Sequence, residues 1–226
     1  MTTSAETGGR SMLIRAIESW LFPVVAAIPV PHRVILPYLL KDNAAEAEDG
    51  WARLSDPEEL GRYWAVRGAV HEFARGGDVL DVGCARGLLL DGLDCRSYTG
   101  VDLFPEALPT GPPPAHARFV AADVAEWRPD EPFDAIVFNE CLYYLRDPLG
   151  VMRALGSALR PGGVMVVSVF DRSWATRRIA RQVDQVGPVL AHTRVVAASG
   201  PAWTVKVIGA PGPTRAELDG AGLAGA

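Results

Sequence analysis

Two aspartates and a glycine-rich turn are the strongest candidates for chemistry in this chain of 226 residues. Asp81 lies in the apolar stretch DVLDV, and the turn that follows contains Gly83 and Gly87. Asp102 ends the next apolar stretch, 21 residues after Asp81. In dinucleotide-binding folds, a carboxylate at about this offset binds the ribose hydroxyls, because it can accept two hydrogen bonds. The spacing therefore predicts a nucleotide site at the ends of two neighbouring strands.

A second set of polar residues follows the apolar stretch that ends at Phe138. Asn139 and Glu140 come first, and Tyr143 and Tyr144 follow within one turn. Ligands of open α/β sheets bind beyond the carboxyl ends of the strands, so these side chains are predicted to face an acceptor molecule. Glu140 is the preferred base or amine-orienting group, and either tyrosine could hydrogen-bond the acceptor. The alternatives are a charge at a helix start for Glu140 and core packing for the tyrosines.

The histidines and cysteines do not have the spacing of a metal site. The four histidines lack the short intervals that metal-binding helices use, and the three cysteines contain no C-x-x-C pair. The chain is therefore predicted to bind no metal and to keep its thiols reduced. His192 could line the acceptor site, with a surface or core position as the alternative.

The candidate residues lie in a chain that alternates strands and helices from Asp78 onward. Continuous apolar runs such as 136–138 and 164–167 suit strands covered on both faces, as in a parallel sheet between helices. One helix is expected to end on the glycines that follow Arg75. The predicted helices span residues 57–76, 85–93, 148–159 and 172–186.

The last two strand-like runs, VLAHTRVVAA and AWTVKVIGA, are joined by a connector around Ser199-Gly200-Pro201. So short a connector allows an antiparallel hairpin but no parallel crossover. The predicted fold class is α/β: a Rossmann-like, doubly wound, mostly parallel sheet of seven strands that ends in an antiparallel hairpin. An N-terminal helical and apolar extension precedes it.

These motifs resemble those of the class I S-adenosylmethionine-dependent methyltransferases that act on small molecules. The matching segments lie between Gly77 and Ala210 and read DVGCARG, VD at 101–102, AADV, FDAIVFNECLYYL and LRPGGVMVVSV. The resemblance implies an enzyme that binds S-adenosylmethionine (SAM) and methylates an oxygen or nitrogen atom of a small molecule, such as a natural product or a sugar.

The same resemblance implies a role for each matching position. Asp102 would bind the ribose hydroxyls, and Ala85 stands where the family has its middle glycine. The first acid and its loop would lie under the methionine and ribose parts of the cofactor: Asp81, Gly83, Cys84, Ala85 and Gly87. The remaining cofactor positions would be Leu103 and Val124 beside adenine, Asp123 at its amino group, and Asn139, which closes the pocket.

The helix before the core offers two more candidates. Tyr63 and Arg67 lie one turn apart and therefore share a face. That face could cover the cofactor carboxylate, with simple surface packing as the alternative.

Charge and composition limit the partners. The net charge of −5 repels polyanions, and the arginines are scattered, so a small-molecule acceptor is favoured over nucleic acid. The apolar segment 19–40 is interrupted by prolines and has a charged residue at its edge, which favours a docking or lid segment over a membrane span or signal peptide. It could also form a homodimer contact. A cytoplasmic location is expected.

Three segments are predicted: an N-terminal extension (1–60), the methyltransferase domain (61–210) and a flexible tail (211–226). Two other functions stay open. A nicotinamide-dependent oxidoreductase or epimerase could use the same sheet and Asp102, although the chain lacks G-x-G-x-x-G. A methyltransferase-like binding subunit without catalysis could use the apolar N-terminal segment for partner contacts.

Overall fold

The computed structural model describes residues 54–171 and 173–210. The helices and strands in these residues are, in chain order, α1 (Pro57–Ala74), β1 (Gly76–Val82), β2 (Cys95–Asp102), β3 (Ala117–Ala121), β4 (Phe133–Asn139), α2 (Pro148–Gly156), β5 (Leu159–Phe170), α3 (Trp174–Gln182), β6 (Val189–Val196) and β7 (Ala202–Gly209). Short 3₁₀ turns follow β2, β4 and α3 at Pro105–Ala107, Leu142–Tyr144 and Val183–Gln185.

The seven strands form one sheet in the order β3-β2-β1-β4-β5-β7-β6. Strands β1 to β5 pair in parallel, whereas β7 pairs antiparallel with both β5 and β6. A turn closed by the Ala197 N–H donating to the Pro201 carbonyl at 2.8 Å joins β6 to β7. The predicted class, with a doubly wound sheet and a terminal hairpin, is confirmed.

Successive strand residues point to opposite faces of the sheet, so each face has its own apolar core. Val79 and Val137 pack under α1 on one face. Leu80, Ile136 and Phe138 belong to the cluster on the opposite face, which α2 and α3 cover. Burial on both faces explains the continuous apolar run in β4.

Helix α1 runs across one face of the sheet, from the carboxyl ends of the central strands to their amino ends. Its first half reaches the carboxyl end of β4, where Arg62 contacts Asn139. It then ends at Ala74; Arg75 follows in the left-handed conformation (φ 50°), and β1 begins at Gly76. The last helical residue thus lies two residues before the first of the glycines expected to stop the helix.

The predicted helix over 85–93 is wrong. The structure has consecutive turns there, in which the N–H groups of Gly87, Leu90 and Leu93 donate to carbonyls three residues earlier. Gly87 and Gly92 both have positive φ values, of 71° and 76°. Two glycines in this conformation interrupt the segment, although its apolar spacing is compatible with a helix.

Two other predicted boundaries also change. The helix predicted over 148–159 ends at Gly156, because β5 already begins at Leu159. The helix predicted over 172–186 is shorter: α3 spans Trp174–Gln182, and a 3₁₀ turn follows at Val183–Gln185. Helix α1 begins at Pro57, as predicted. The apolar segment 19–40 and the tail 211–226 lie outside the described residues.

Candidate active site

The carboxyl ends of the central strands meet at one edge of the sheet. Val82 is in register with Val101 on one side and with Phe138 on the other. The next residues of the neighbouring strands, Asp102 and Asn139, therefore emerge at the same level. The structure brings two motifs to one edge, as their order in the chain predicts. They are the nucleotide motif, from Asp81 to Asp102, and the acceptor motif, from Asn139 to Tyr144.

Asp81 is the most deeply buried acid of this edge, with 2% of its surface exposed. Its Oδ2 accepts a 2.6 Å hydrogen bond from the Tyr98 hydroxyl. Among the buried side-chain nitrogen and oxygen atoms of residues 54–171 and 173–210, Asp81 Oδ1 is the one that lacks a hydrogen-bond partner. Burial raises the pKa of Asp81 to about 7, and the Tyr98 hydrogen bond opposes this rise. An unpartnered buried oxygen can accept a hydrogen bond from a cationic or hydroxyl group of a ligand.

Asp102 connects the end of β2 to the glycine turn. Its Oδ2 accepts from the Ala85 N–H at 2.9 Å, and its Oδ1 accepts from the Phe104 N–H at 3.1 Å. Burial raises the pKa of this carboxyl group, while the backbone donors lower it. Each carboxylate oxygen keeps a further lone pair, which suits two ribose hydroxyls.

The turn after β1 has an unusual backbone. Gly83 has φ 70°, and Ala85 has φ 44°, which strains any residue other than glycine. A Cβ on Gly83 would lie 2.6 Å from the Cβ of Cys141. The glycine is therefore required for packing against the segment after β4, before any ligand is considered. On Gly87, a Cβ would meet the Phe119 ring at 2.8 Å.

The other predicted cofactor positions lie around this turn. Cys84 is buried, and burial raises the pKa of its thiol. Leu103 is half-buried directly after Asp102. Asp123 accepts from the Ala125 N–H at 2.9 Å, and Val124 belongs to the apolar core.

Glu140 lies at the centre of the acceptor cluster and has a strained backbone, with φ 62°. Its Oε2 accepts a 3.0 Å hydrogen bond from the Tyr143 hydroxyl, and its Oε1 lies 3.1 Å from the Ser168 hydroxyl. Burial raises the pKa of Glu140 to about 7, against the lowering effects of the Arg62 charge and of these two hydrogen bonds. A carboxyl group with this pKa can take up a proton near neutral pH.

Arg62, like Ser168, is a residue of this cluster that sequence reasoning missed. It is 1% exposed, and its Nη1 donates to Asn139 Oδ1 at 2.5 Å. Its Nε and Nη2 donate to Glu59 Oε2 at 2.9 and 2.7 Å. The i,i+3 spacing of Glu59 and Arg62 on a predicted helix was the available signal. The sequence did not reveal that the pair turns inward.

Three predicted residues take other positions. Arg67 donates to the carbonyls of Leu88 and Leu89 and so holds the turns after β1, while its guanidinium lies 5.4 Å from the Tyr63 ring centre. The Tyr144 ring contacts the Tyr143 ring at a centroid distance of 4.6 Å and a tilt of 54°, and Tyr144 is 44% exposed. His192 is exposed on the edge strand β6, about 14 Å from β4 at about 4.8 Å per strand.

The edge thus combines a nucleotide-type pair of carboxylates with a proton-accepting cluster. Asp81 and Asp102 offer acceptor oxygens to a ligand, and Glu140 offers a carboxylate near its pKa. No group of three histidine, cysteine or acidic side chains in the described part of the chain could hold a metal ion. In the same residues, no helix is long and apolar enough to cross a membrane.

Comparison with protein families gives a match to a methyltransferase domain over residues 42–203. Nodulation protein S of Rhizobium tropici is 34% identical over 140 residues, which cover 57% of this chain and 58% of that protein. The ubiquinone biosynthesis O-methyltransferase of Xanthomonas campestris is 33% identical over 114 residues, which cover 46% of this chain and 48% of that protein. The chain thus spans about half the length of the curated relatives it matches.

Solved structures share the fold. The 1,6-didemethyltoxoflavin-N1-methyltransferase of Burkholderia thailandensis, with its substrate and S-adenosylhomocysteine (SAH) bound, superposes with a TM-score of 0.63 at 20% identity, over 82% of this chain and 92% of that chain. The N-methyltransferase NodS of Bradyrhizobium japonicum, in complex with SAH, gives 0.58 at 21% identity, over 71% and 91%.

Proposed function

Since the chain belongs to the methyltransferase domain family, we propose that it transfers a methyl group from SAM to a nitrogen or oxygen atom of a small molecule. One observation carries the proposal. The buried acid with an unpartnered oxygen, Asp81, and the strand-end acid Asp102 lie at the same sheet edge as Glu140, whose pKa is about 7. A nucleotide-type site and a proton acceptor therefore adjoin.

The residues at this edge fit SAM. Asp81 Oδ1 would accept a hydrogen bond from the methionine end, and Asp102 would hold the ribose hydroxyls. Arg67 was predicted to cover the cofactor carboxylate, and this stays a prediction: Arg67 donates to the carbonyls of Leu88 and Leu89, and Arg62 is likewise engaged by Glu59 and Asn139. Bound SAM supplies a methyl group on a sulfonium, which needs no further activation.

Glu140 would accept the proton that the acceptor molecule loses. A hydroxyl or an ammonium group has to lose a proton for its lone pair to attack a methyl group. A carboxylate of pKa about 7 takes that proton at neutral pH, and the Tyr143 hydroxyl keeps one of its oxygens oriented. The relatives support either atom, because NodS is described as an N-methyltransferase and the ubiquinone relatives as O-methyltransferases.

Other features of the proposal depend on residues beyond those described. A homodimer contact or an acceptor lid formed by segment 19–40 stays a prediction, and so does the cytoplasmic location. The assignment of His192 to the acceptor site also stays a prediction, although its position on β6 gives it no support.

Binding calorimetry with SAM, SAH and NAD in parallel tests the proposed cofactor. We expect both sulfur nucleosides to bind and NAD to give no heat. Asp102→Asn should weaken both by about 1.5–3 kcal/mol, the usual cost of losing charge-assisted hydrogen bonds. Asp78→Asn, at the opposite edge of the sheet, is the matched control and should leave both affinities unchanged. Tight NAD binding without response to the sulfur nucleosides would overturn the proposal.

A further inference from the structure

A series of close polar contacts leads from helix α1 to the Glu140 carboxylate. Glu59 accepts two hydrogen bonds from Arg62, and Arg62 donates to Asn139 Oδ1. The Ser168 hydroxyl lies 2.7 Å from the same Asn139 oxygen and 3.1 Å from Glu140 Oε1. Ser168 is fully buried, and Arg62 is 1% exposed, so water has little access to these links.

The number of hydrogens on these side chains determines which of the contacts are hydrogen bonds. A serine hydroxyl carries one hydrogen, so Ser168 can donate either to Asn139 or to Glu140 at any moment. Arg62 already donates a hydrogen bond to the Asn139 oxygen, so that oxygen keeps a partner when the Ser168 hydroxyl donates to Glu140. When Glu140 is ionised, it therefore receives hydrogen bonds from both Ser168 and Tyr143.

We propose that Arg62, with its ion-pair partner Glu59, is a positioning residue: its hydrogen bond to the Asn139 oxygen leaves the Ser168 hydroxyl to donate to Glu140, which orients the ionised carboxylate. This inference rests on the proposed function for its catalytic consequence, but not for its geometry. It gives α1 a role in the acceptor chemistry, although no residue of α1 is the proton acceptor.

The charged and titratable groups around Glu140 act in opposite directions. The positive charge of Arg62 and the Tyr143 hydrogen bond lower the pKa of Glu140, whereas the negative charge of Glu59 raises it. If the ion pair sets the pKa of Glu140, removal of the Arg62 charge must raise that pKa and removal of the Glu59 charge must lower it. A general loosening of the helix would move both variants the same way.

The test is a pH titration of Glu140 in the full chain labelled with ¹³C at the glutamate carboxyl groups, its signal assigned by its loss in Glu140→Gln. Arg62→Met should raise the midpoint by about one pH unit or more, because the Arg62 charge lowers the pKa of Glu140 and a nearby opposite charge typically shifts a pKa by about 1–3 units. Glu59→Gln should lower it, and Arg62→Lys should restore most of the shift. Ser168→Ala should raise it by removing one donor.

The outcome separates this inference from the proposed function. An unchanged midpoint in folded Arg62→Met, or shifts of the same sign in Arg62→Met and Glu59→Gln, would overturn it. If Arg62→Met does not fold, the more exposed Glu59 still decides: no fall of the midpoint in Glu59→Gln overturns it. The titration needs no acceptor, so failure to detect methyl transfer contradicts only the proposed function. Where transfer is detected, the acidic limb of the rate profile should shift with the titration.

Discussion

At the scale of single residues, the proposed methyl transfer depends on the protonation of Glu140. Its carboxyl group has a pKa of about 7 because burial outweighs the nearby Arg62 charge and its two hydrogen bonds. The strained backbone of Glu140 keeps this side chain against Ser168 and Tyr143. Strain of this kind persists only where the surrounding structure enforces it, and it is frequent at functional sites.

Glu140→Gln should lower the turnover of methyl transfer by about 10²–10⁴-fold and leave SAM affinity nearly unchanged. The amide keeps the shape of the side chain and cannot accept the proton. In the wild type, activity should rise with pH as Glu140 loses its proton near pH 7, and this acidic limb should disappear in the variant. A turnover near the wild-type value at every pH would direct attention to Tyr143 and Tyr144 instead.

At the scale of elements, the turn between β1 and β2 depends on its contact with the segment after β4. Gly83 lies against Cys141 with a positive φ, so any side chain there meets both backbone strain and overlap. The same contact joins the nucleotide motif to the acceptor motif. The two halves of the site are therefore expected to lose stability together.

Gly83→Ala should destabilise the chain by about 2–4 kcal/mol, because strain of about 1–2 kcal/mol adds to the overlap with Cys141. Gly92→Ala is the matched control, since Gly92 also has a positive φ (76°) but no atom within 4 Å of its added Cβ. It should cost only about 1–2 kcal/mol. Urea unfolding of both variants measures the difference, and equal losses would show that Cys141 moves aside easily.

At the scale of the whole molecule, a network of ion pairs lies at the edge of the sheet opposite the proposed ligand site. At the edge where the parallel strands begin, Asp78 accepts hydrogen bonds from Arg96 at 2.8 and 2.6 Å and from Ser97 at 2.8 Å. Arg160 pairs with both Asp78 and Asp134. The Arg96 hydrogen bonds hold the pKa of Asp78 well below its usual range, although burial opposes them.

Asp78→Asn should reduce the free energy of unfolding by about 1–2 kcal/mol at pH 7, a modest amount because Arg96 is 63% exposed. A depressed pKa stabilises the fold above the ordinary pKa of an aspartate, about 4, and this stabilisation is lost as pH falls below it. The difference between variant and wild type should therefore shrink below about pH 4 in urea titrations. A constant difference across pH would mean that charge plays no part.

The amino-acid sequence by itself determined the sheet, its hairpin and the edge at which the candidate site residues lie. Apolar runs report burial on two faces, and a short connector permits one geometry for β6 and β7, so both follow from local information. The same holds for the positions of Asp81, Asp102 and Glu140, because each lies within one residue of the carboxyl end of an apolar strand. The sequence pattern failed over 85–93, where two glycines with positive φ override a helix-compatible apolar spacing.

Only the tertiary structure decided which side chains complete the site. Arg62 and Asn139 are 77 residues apart, and their hydrogen bond depends on how α1 lies across the sheet. Arg67, on the same helix, holds the turns after β1 instead. His192 lies two strands beyond β5 because β7 inserts between them. Such contacts depend on packing angles and strand order, which residue types and spacing do not encode locally.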